Sequence, residues 1–176
     1  MKTICFTGHR KIMGFYDGKY HNDVRNKLVD VCKRAYEHGF THFISGGALG
    51  VDMLGAEAVL HLITKKYMPL VLEMALPNTG QGQNWPIKSQ VRLQNICIGA
   101  ETSGGSTTIV SPGDFNIEML QKRNEYMVDK SDAVIAVWDG KKGGTANCVA
   151  YATACGLPIL VIHPVMLHEN WINVKK

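Results

Sequence analysis

The chain has 176 residues, of which 45% are hydrophobic and 19% are charged, a composition typical of a globular protein. A chain of this length is expected to form a single domain over residues 1–176 and to bury roughly two-thirds of its unfolded surface. The formal net charge of +4 is mild, and no dense stripe of lysine and arginine is present, so the composition argues against nucleic acid as a partner.

Targeting and redox features of the sequence favour a cytoplasmic protein. Met1 and Lys2 lead directly into a predicted strand, so we expect no cleaved signal sequence. No apolar run approaches the roughly 18 residues of a membrane span. The five cysteines form no C-x-x-C pair and several lie in apolar patterns, which predicts reduced, buried thiols.

Short apolar runs alternate with helical patterns along the chain. The predicted strands cover about residues 2–7, 41–45, 70–76, 107–110, 133–138 and 159–162. The predicted helices cover about residues 21–38, 50–66, 87–97, 115–130 and 145–155. Gly14 and Gly18 lie in a loop after the first strand, and residues 163–176 form a tail without a clear period. This alternation predicts an α/β fold with a doubly wound, mainly parallel sheet flanked by helices.

Three glycine-rich stretches each follow a predicted strand: residues 7–10, 45–52 and 139–145. In an open parallel sheet, the loops that leave the carboxyl ends of the strands converge on one crevice where ligands bind. Glycine allows the backbone to approach a ligand closely, and the start of a helix offers free amides to an anion. The three loops therefore predict a site for a phosphate-bearing small molecule, and in particular for a nucleotide.

The first two loops contain candidate side chains. Arg10 can hold a phosphate with two hydrogen bonds and His9 can donate a hydrogen bond or transfer a proton, although an exposed basic pair is the alternative. Residues 45–52 match neither the G-x-G-x-x-G fingerprint nor a Walker A loop. Asp52 lies in the first turn of a predicted helix, where it is either a structural acid stabilised by the helix dipole, or a ribose ligand or general base.

Further candidates follow later in the chain. Residues 143–145 (Gly-Gly-Thr) form either a tight turn with a threonine cap or a ligand loop, and their place after a strand favours the ligand loop. Lys122 and Arg123 are candidate cations, with a solvated helix face as the alternative. Trp85 either stacks on a base or anchors its polar loop to the domain. Cys148 is expected to be a buried thiol, and no histidine spacing indicates a metal site.

Four motifs resemble a known family in their order. They are residues 7–10, 45–52, 123–132 (Arg-Asn-x-x-Met-Val-Asp-x-Ser-Asp) and 135–146, and Asn84-Trp85 adds to them. Together they resemble the SLOG superfamily, and within it the YpsA/YoqJ-like branch of small bacterial and phage proteins. The resemblance implies a Rossmann-like fold and a site for nucleotides or nucleotide derivatives, including ADP-ribose- or NAD-related molecules.

The wider superfamily includes the LOG phosphoribohydrolases, which cleave the N-glycosidic bond of nucleoside monophosphates, and DprA, which binds single-stranded DNA. LOG enzymes look like M-x-x-R-K followed by P-G-G-x-G-T-x-x-E. Here residues 119–123 read Met-Leu-Gln-Lys-Arg, and Cys148 occupies the position of the catalytic glutamate. A thiol does not stabilise an oxocarbenium-like transition state as a carboxylate does, which argues against LOG-type hydrolysis. The remaining carboxylate candidates are Asp52, Asp139 and Glu118.

We therefore expect a protein that binds or senses a nucleotide or nucleotide derivative, with Arg10 and Arg123 as charge partners of the ligand. An alternative is a nucleoside or nucleotide N-glycosidase that uses Asp52 or Asp139, and a weaker alternative is single-stranded DNA binding. A homodimer is compatible with the family, and no metal is expected. The predicted ligand-binding residues are Thr7, Gly8, His9, Arg10, Ser45, Gly46, Gly47, Leu49, Gly50, Asp52, Trp85, Arg123, Asp139, Gly143, Gly144 and Thr145.

Overall fold

The computed structural model describes residues 1–11 and 19–174, and of residues 19 and 20 only the backbone. The predicted loop with Gly14 and Gly18 and the last two residues of the tail lie outside the described residues. The strands of the described part are β1 (Lys2–Gly8), β2 (Phe40–Ser45), β3 (Val71–Leu76), β4 (Ser106–Ile109), β5 (Ala133–Val137), β6 (Ile159–Ile162) and β7 (Glu169–Ile172). Its helices are α1 (Lys19–Glu37), α2 (Val51–Lys66), α3 (Ile87–Thr102), α4 (Glu118–Asp129) and α5 (Gly144–Ala154).

The strands form one sheet in the spatial order β4-β3-β2-β1-β5-β6-β7, and all neighbours are parallel except β6 and β7. From β1 the chain winds outward through β2 and β3 to β4, and it then returns to β5 on the other side of β1. This order confirms the predicted α/β, Rossmann-like, doubly wound fold. It also places the topological switch point, where ligands bind in such sheets, at the carboxyl ends of β1 and β5.

Side chains of the central strands alternate between two helix layers. Ile4 and Phe6 of β1 belong to a buried cluster with residues of α1, α2 and α3, whereas Cys5 belongs to a second cluster with residues of α4 and α5. Because both faces are covered, the central strands read as continuous apolar runs in the sequence. Gly55 brings α2 close to the sheet, since a Cβ there would lie 2.7 Å from the Phe6 ring.

The predicted tail contains an element that the sequence analysis missed. β7 pairs antiparallel with β6, and its Glu169 forms ion pairs with Arg34 and, at 2.6 Å, with Lys27 of α1. A four-residue edge strand that is held by pairing and charge has too few buried positions to give a periodic signal. No helix among residues 1–11 and 19–174 is long and apolar enough to cross a membrane.

Two helix boundaries also differ from the prediction. α3 continues past residue 97 to Thr102, and Gly99 within this extension lies close to Leu60 of α2. α4 begins at Glu118 instead of residue 115, and in the turn that precedes it Asn116 Oδ1 accepts a hydrogen bond from the Met119 amide at 3.2 Å.

Glu73 of β3 is a buried carboxylate at the centre of a polar network. Its Oε2 lies 3.4 Å from His42 Nε2, and its Oε1 accepts hydrogen bonds from the Tyr126 hydroxyl at 2.6 Å and the Thr108 hydroxyl at 2.9 Å. These contacts, of which the one with His42 is the strongest, lower the pKa of Glu73 from its ordinary value of 4.5 to about 2.

Glu73→Gln is expected to make the free energy of unfolding less dependent on pH in the acid range. A carboxyl group whose pKa is lower in the folded state stabilises that state above its unfolded pKa, and this contribution is lost as the pH falls from 4.5 through about 2. The wild type should therefore lose on the order of 2 kcal/mol over this window, and the variant less. Urea unfolding across the acid range measures the difference, with the exposed Glu118→Gln as a control. Equal acid losses in all three proteins would contradict the expectation.

Candidate functional site

A cleft with a volume of about 410 Å³ lies at the switch point of the sheet. The loops that follow β1 and β5 form two of its walls, α4 forms another, and Ala48 of the loop after β2 and Asp52 of the first turn of α2 complete the lining. The lining residues are Thr7, Gly8, His9, Arg10, Ala48, Asp52, Ile117, Leu120, Gln121, Arg123, Asn124, Lys141, Lys142, Gly143, Gly144, Thr145 and Asn147. The structure thus brings together side chains that are more than a hundred residues apart in the sequence, as the loop pattern predicts.

α5 begins at this cleft with an open backbone. Gly143 precedes the helix with a φ of +146°, which favours glycine, and no atom lies within 4 Å of the place where a Cβ of Gly143 or Gly144 would stand. The first amides of a helix have no intrahelical acceptor, and the positive end of the helix dipole lies at the same place. The start of α5 is therefore accessible to an anion.

The second glycine-rich loop supports the cleft instead of lining it. The Ser45 hydroxyl donates to the Asp52 carbonyl at 2.8 Å and accepts from the Gly47 amide at 3.3 Å. At the start of α2, the Val51 amide donates to the His9 carbonyl at 3.3 Å. These groups are used within the protein, and of this loop only Ala48 and Asp52 line the cleft. The predicted ligand contacts of this loop that do not line the cleft are Ser45, Gly46, Gly47, Leu49 and Gly50.

A buried ion pair lies at the wall of the cleft. Arg123 Nη1 donates to Asp52 Oδ2 at 3.0 Å, and the Ala48 amide donates to the same oxygen at 3.4 Å. Burial raises the pKa of Asp52, while the positive charge of Arg123 acts against that rise. Arg123 is only 5% exposed, and its Nε has no hydrogen-bond partner among the described residues. The charge of Arg123 is thus already paired with a residue of the protein itself, namely Asp52.

Gly46 makes room for this ion pair. A Cβ at this position would lie 1.3 Å from Arg123 Nη1 and 2.7 Å from Asp52 Oδ2. The glycine is therefore required because the guanidinium group packs on the backbone of the loop. From the sequence, the same glycine was expected to allow the close approach of a ligand.

His9 and Asp139 connect the loops that follow β1 and β5. His9 Nε2 lies 2.7 Å from Asp139 Oδ1, and Lys141 Nζ lies 2.7 Å from Asp139 Oδ2. The bond with Lys141, together with that to His9, holds the pKa of Asp139 below its usual range. Asp139 lines a neighbouring pocket with Lys11 and His163 and is not part of the cleft lining. It therefore orients His9 and is not placed as a carboxylate that faces a ligand in the cleft.

The remaining candidates lie at different places. Trp85 lines a second cavity that adjoins the cleft. Glu118 and Lys122 are exposed on α4 and do not line the cleft, which agrees with a solvated helix face for Lys122. Cys148 is buried, and this burial raises the pKa of its thiol to about 11, as expected for a structural thiol.

One face of α4 that lines the cleft was not predicted from the sequence. Ile117, Leu120, Gln121 and Asn124 line the cleft at spacings of three and four residues, so they share one helical face. This spacing is visible in the sequence, but it mixes apolar and amide side chains and so gives no clear apolar stripe. Lys142 and Asn147 were also missed, although they flank the predicted residues 143–145.

The charge of the cleft favours an anionic ligand. Four cationic side chains line it, and Asp52 is the only acidic residue among the described residues that do so. The described residues also contain no group of three or more His, Cys, Asp or Glu suited to hold a metal ion. Free amides at a helix start and cationic side chains are groups that bind phosphate in proteins.

The fold and the cleft define a Rossmann-like α/β protein with a cationic cleft at its switch point. The chain belongs to the YspA SLOG family, whose family model matches residues 4–155, and this confirms the resemblance to the SLOG superfamily. The SPbeta prophage-derived protein YoqJ of Bacillus subtilis (strain 168) is 36% identical over 131 residues, which cover 69% of this chain and 76% of YoqJ. A UPF0398 protein of Bacillus cereus (strain G9842) is 29% identical over 157 residues, which cover 85% and 80% of the two chains.

Two solved structures of the DNA processing protein DprA have a similar fold. The Helicobacter pylori protein, described for its single-stranded DNA binding mode, matches with a TM-score of 0.63 and 19% identity over 92% of this chain and 65% of that one. The Streptococcus pneumoniae protein matches with a TM-score of 0.64 and 15% identity over 93% of this chain and 50% of that one. This chain thus spans half to two-thirds of those DprA chains, and the likeness shows the fold alone.

Proposed function

We propose that the cleft binds the phosphate and ribose of a nucleotide or nucleotide derivative, such as AMP, ADP-ribose or NAD. The observation that carries this proposal is the open start of α5 beside several cationic side chains in one cleft. Helix starts with free amides bind phosphate groups, and the arginine and lysine side chains add charge-assisted hydrogen bonds.

Arg10 and Lys142 are the cations that are available to a ligand. Arg123 is already paired with Asp52, and Lys141 with Asp139. Arg10 and Lys142 are exposed and form no ion pair with a described residue. We infer that these two side chains close on the phosphate, whereas Arg123 holds the wall of the cleft in place.

Polar side chains of the cleft supply partners for the ribose. Gln121, Asn124 and Asn147 line the cleft with amide groups that both donate and accept hydrogen bonds. Ribose hydroxyls also donate and accept, so amide side chains are suitable partners for them.

Thermal unfolding with AMP, ADP-ribose, NAD and inorganic phosphate tests this proposal. A ligand at about a hundred times its Kd should stabilise the protein by roughly 2.7 kcal/mol. Arg10→Ala should weaken binding about tenfold, which corresponds to about 1.4 kcal/mol. The matched control is Lys122→Ala, which removes an exposed cation outside the cleft and should leave the Kd unchanged. The absence of any shift with the whole panel, or equal losses in both variants, would contradict the proposal.

A second candidate function is cleavage of the N-glycosidic bond of a bound nucleotide. The observation that favours it is the carboxylate of Asp52, which lines the cleft and is therefore able to lie near a bound ribose. Chromatography of the same nucleotides after long incubation distinguishes the two functions. Release of free base that is abolished in Asp52→Asn would support the glycosidase, and recovery of intact nucleotides would leave binding alone.

The fold shared with DprA motivates a third assay. A single-stranded oligonucleotide that binds with steep salt dependence would indicate a phosphate-backbone interface. An oligonucleotide that binds no more tightly than a mononucleotide would restrict the cleft to small ligands.

A further inference from the structure

A second cavity with a volume of about 350 Å³ adjoins the cleft. The two share four lining residues, which are Arg10, Ala48, Ile117 and Leu120. Because they have a common wall, one extended ligand is able to occupy both. The loop of residues 77–86 forms most of the outer part of this second cavity, which we call the Trp85 cavity.

The chemistry of the Trp85 cavity contrasts with that of the cleft. Its described lining residues include no acid, and Arg10 at the boundary is the only charged one. The remaining lining residues are apolar, aromatic, glycine or amide-bearing. The cationic cleft thus leads directly into an almost uncharged chamber.

Aromatic and apolar side chains are exposed at the Trp85 cavity. Phe115 is 52% exposed and Ile117 is 72% exposed, although both line the cavity. Trp85 is half-buried and also packs against the main core. Its ring lies close to Gly82, where a Cβ would stand 3.0 Å from Trp85 Cε3, so the tryptophan is supported from the loop side. A flat apolar ligand would cover these surfaces.

Amide side chains supply the polar part of the Trp85 cavity. Gln81 Nε2 is bound to the Gly46 carbonyl at 3.0 Å and so fixes the loop to the second glycine-rich stretch. Asn84 is exposed at the cavity, and its side chain has no hydrogen bond to a described residue. An amide that both donates and accepts matches the edge of a nucleobase.

We propose that the Trp85 cavity is the subsite for the base of the bound nucleotide. This inference rests on the proposed function, because it places the phosphate and ribose in the cleft. A nucleotide is anionic at one end and has a flat, uncharged heteroaromatic ring at the other. The cleft is cationic and would accept the anionic end, and the adjoining Trp85 cavity is almost uncharged and would accept the ring. The ligand class is therefore a base-bearing nucleotide, in preference to a sugar phosphate.

Calorimetric titration with AMP and with ribose 5-phosphate tests the subsite. The wild type should bind AMP at least tenfold more tightly than ribose 5-phosphate, because base–aromatic stacking adds to the affinity. Phe115→Ala and Trp85→Ala should each weaken AMP binding about fivefold or more and leave the Kd of ribose 5-phosphate unchanged. Ile87→Ala removes an exposed apolar side chain outside this cavity and should change neither affinity.

The outcomes separate this inference from the proposed function. If neither compound binds, the subsite is overturned, and the proposed function fails as well when ADP-ribose and NAD also give no thermal shift. If both compounds bind with the same Kd and the Phe115 variant is unaffected, the subsite alone is overturned. Phe115→Ala keeps the test valid if Trp85→Ala unfolds, since Phe115 is not part of the main core. A change in tryptophan fluorescence on AMP binding that disappears in Trp85→Phe would further support the subsite, and its persistence would count against it.

Discussion

Arg123→Met is expected to lower the free energy of unfolding by about 3–5 kcal/mol at neutral pH, because it leaves a buried carboxylate without its counter-ion. Arg123 and Asp52 are both buried, and the bond between them is 3.0 Å long. Urea unfolding measures the change. The matched control is Lys122→Met, the same type of substitution at the neighbouring exposed residue, which should stay within about 0.5 kcal/mol of the wild type.

The pH dependence of this variant identifies the cause of its instability. Without Arg123, only the Ala48 amide and the charge of Arg10 act against the burial that raises the pKa of Asp52 above its ordinary value of 3.8. A carboxyl group with a raised pKa favours the folded state below its unfolded pKa, and this contribution is lost as the pH rises through the folded pKa. The loss of unfolding free energy in Arg123→Met relative to the wild type should therefore be smallest in acid and should grow with pH. In the double variant Asp52→Asn/Arg123→Met, the loss of unfolding free energy should be smaller, and it should not follow the titration of a carboxyl group at this position, because none remains there. A deficit in Arg123→Met that stays constant with pH would refute this explanation.

Gly50→Ala is expected to lower the free energy of unfolding by about 2–4 kcal/mol, because backbone strain and a steric clash act together. Gly50 has a φ of +86°, and a Cβ there would lie 2.4 Å from the His9 carbonyl oxygen and 2.6 Å from that of Arg10. These are backbone atoms, which do not move aside as the end of a flexible side chain does. The loop after β1 must therefore shift away from the start of α2, so the nucleotide binding proposed above should weaken as well.

Comparison with Gly140→Ala separates the effect of backbone strain from that of the steric clash. Gly140 has a φ of +87°, and no atom lies within 4 Å of its virtual Cβ. This variant should therefore show the strain alone, with a loss of about 1 kcal/mol. Comparable losses in the two variants would show that the contact with the loop after β1 does not add to the cost.

The sheet could be predicted from the sequence because its central strands are buried on both faces. β5 consists of Ala133–Val137, five buried apolar residues in a row. A short apolar run of this kind between two helical patterns clearly predicts a buried strand. β7 was missed because Glu169–Ile172 has only partly buried and exposed residues, and because its partners are β6 and the cations of α1. Contacts of this kind depend on tertiary structure and leave no local pattern.

The place of the site could be predicted, but the roles of its residues could be predicted only in part. A glycine after a strand indicates a close approach, and it does not indicate what approaches. At Gly143 the space is open, whereas at Gly46 it is filled by the guanidinium group of Arg123. Asp139 was a candidate because it follows a strand, yet its bonds to His9 and Lys141 depend on loop geometry. Pairing between charges that are distant in the chain is the information that one sequence lacks.

The buried ion pair also has a consequence for how specificity arises. Asp52 and Arg123 are held by packing and by each other, so the inner wall is pre-organised and needs little rearrangement when a guest enters. At the rim of the cleft, Arg10 and Lys142 keep the rotamer freedom of solvent-exposed side chains. Under the proposed function, ligands of different phosphate length would contact one rigid wall and an adaptable rim, and the side-chain entropy that Arg10 and Lys142 lose on binding would contribute to the preference among them.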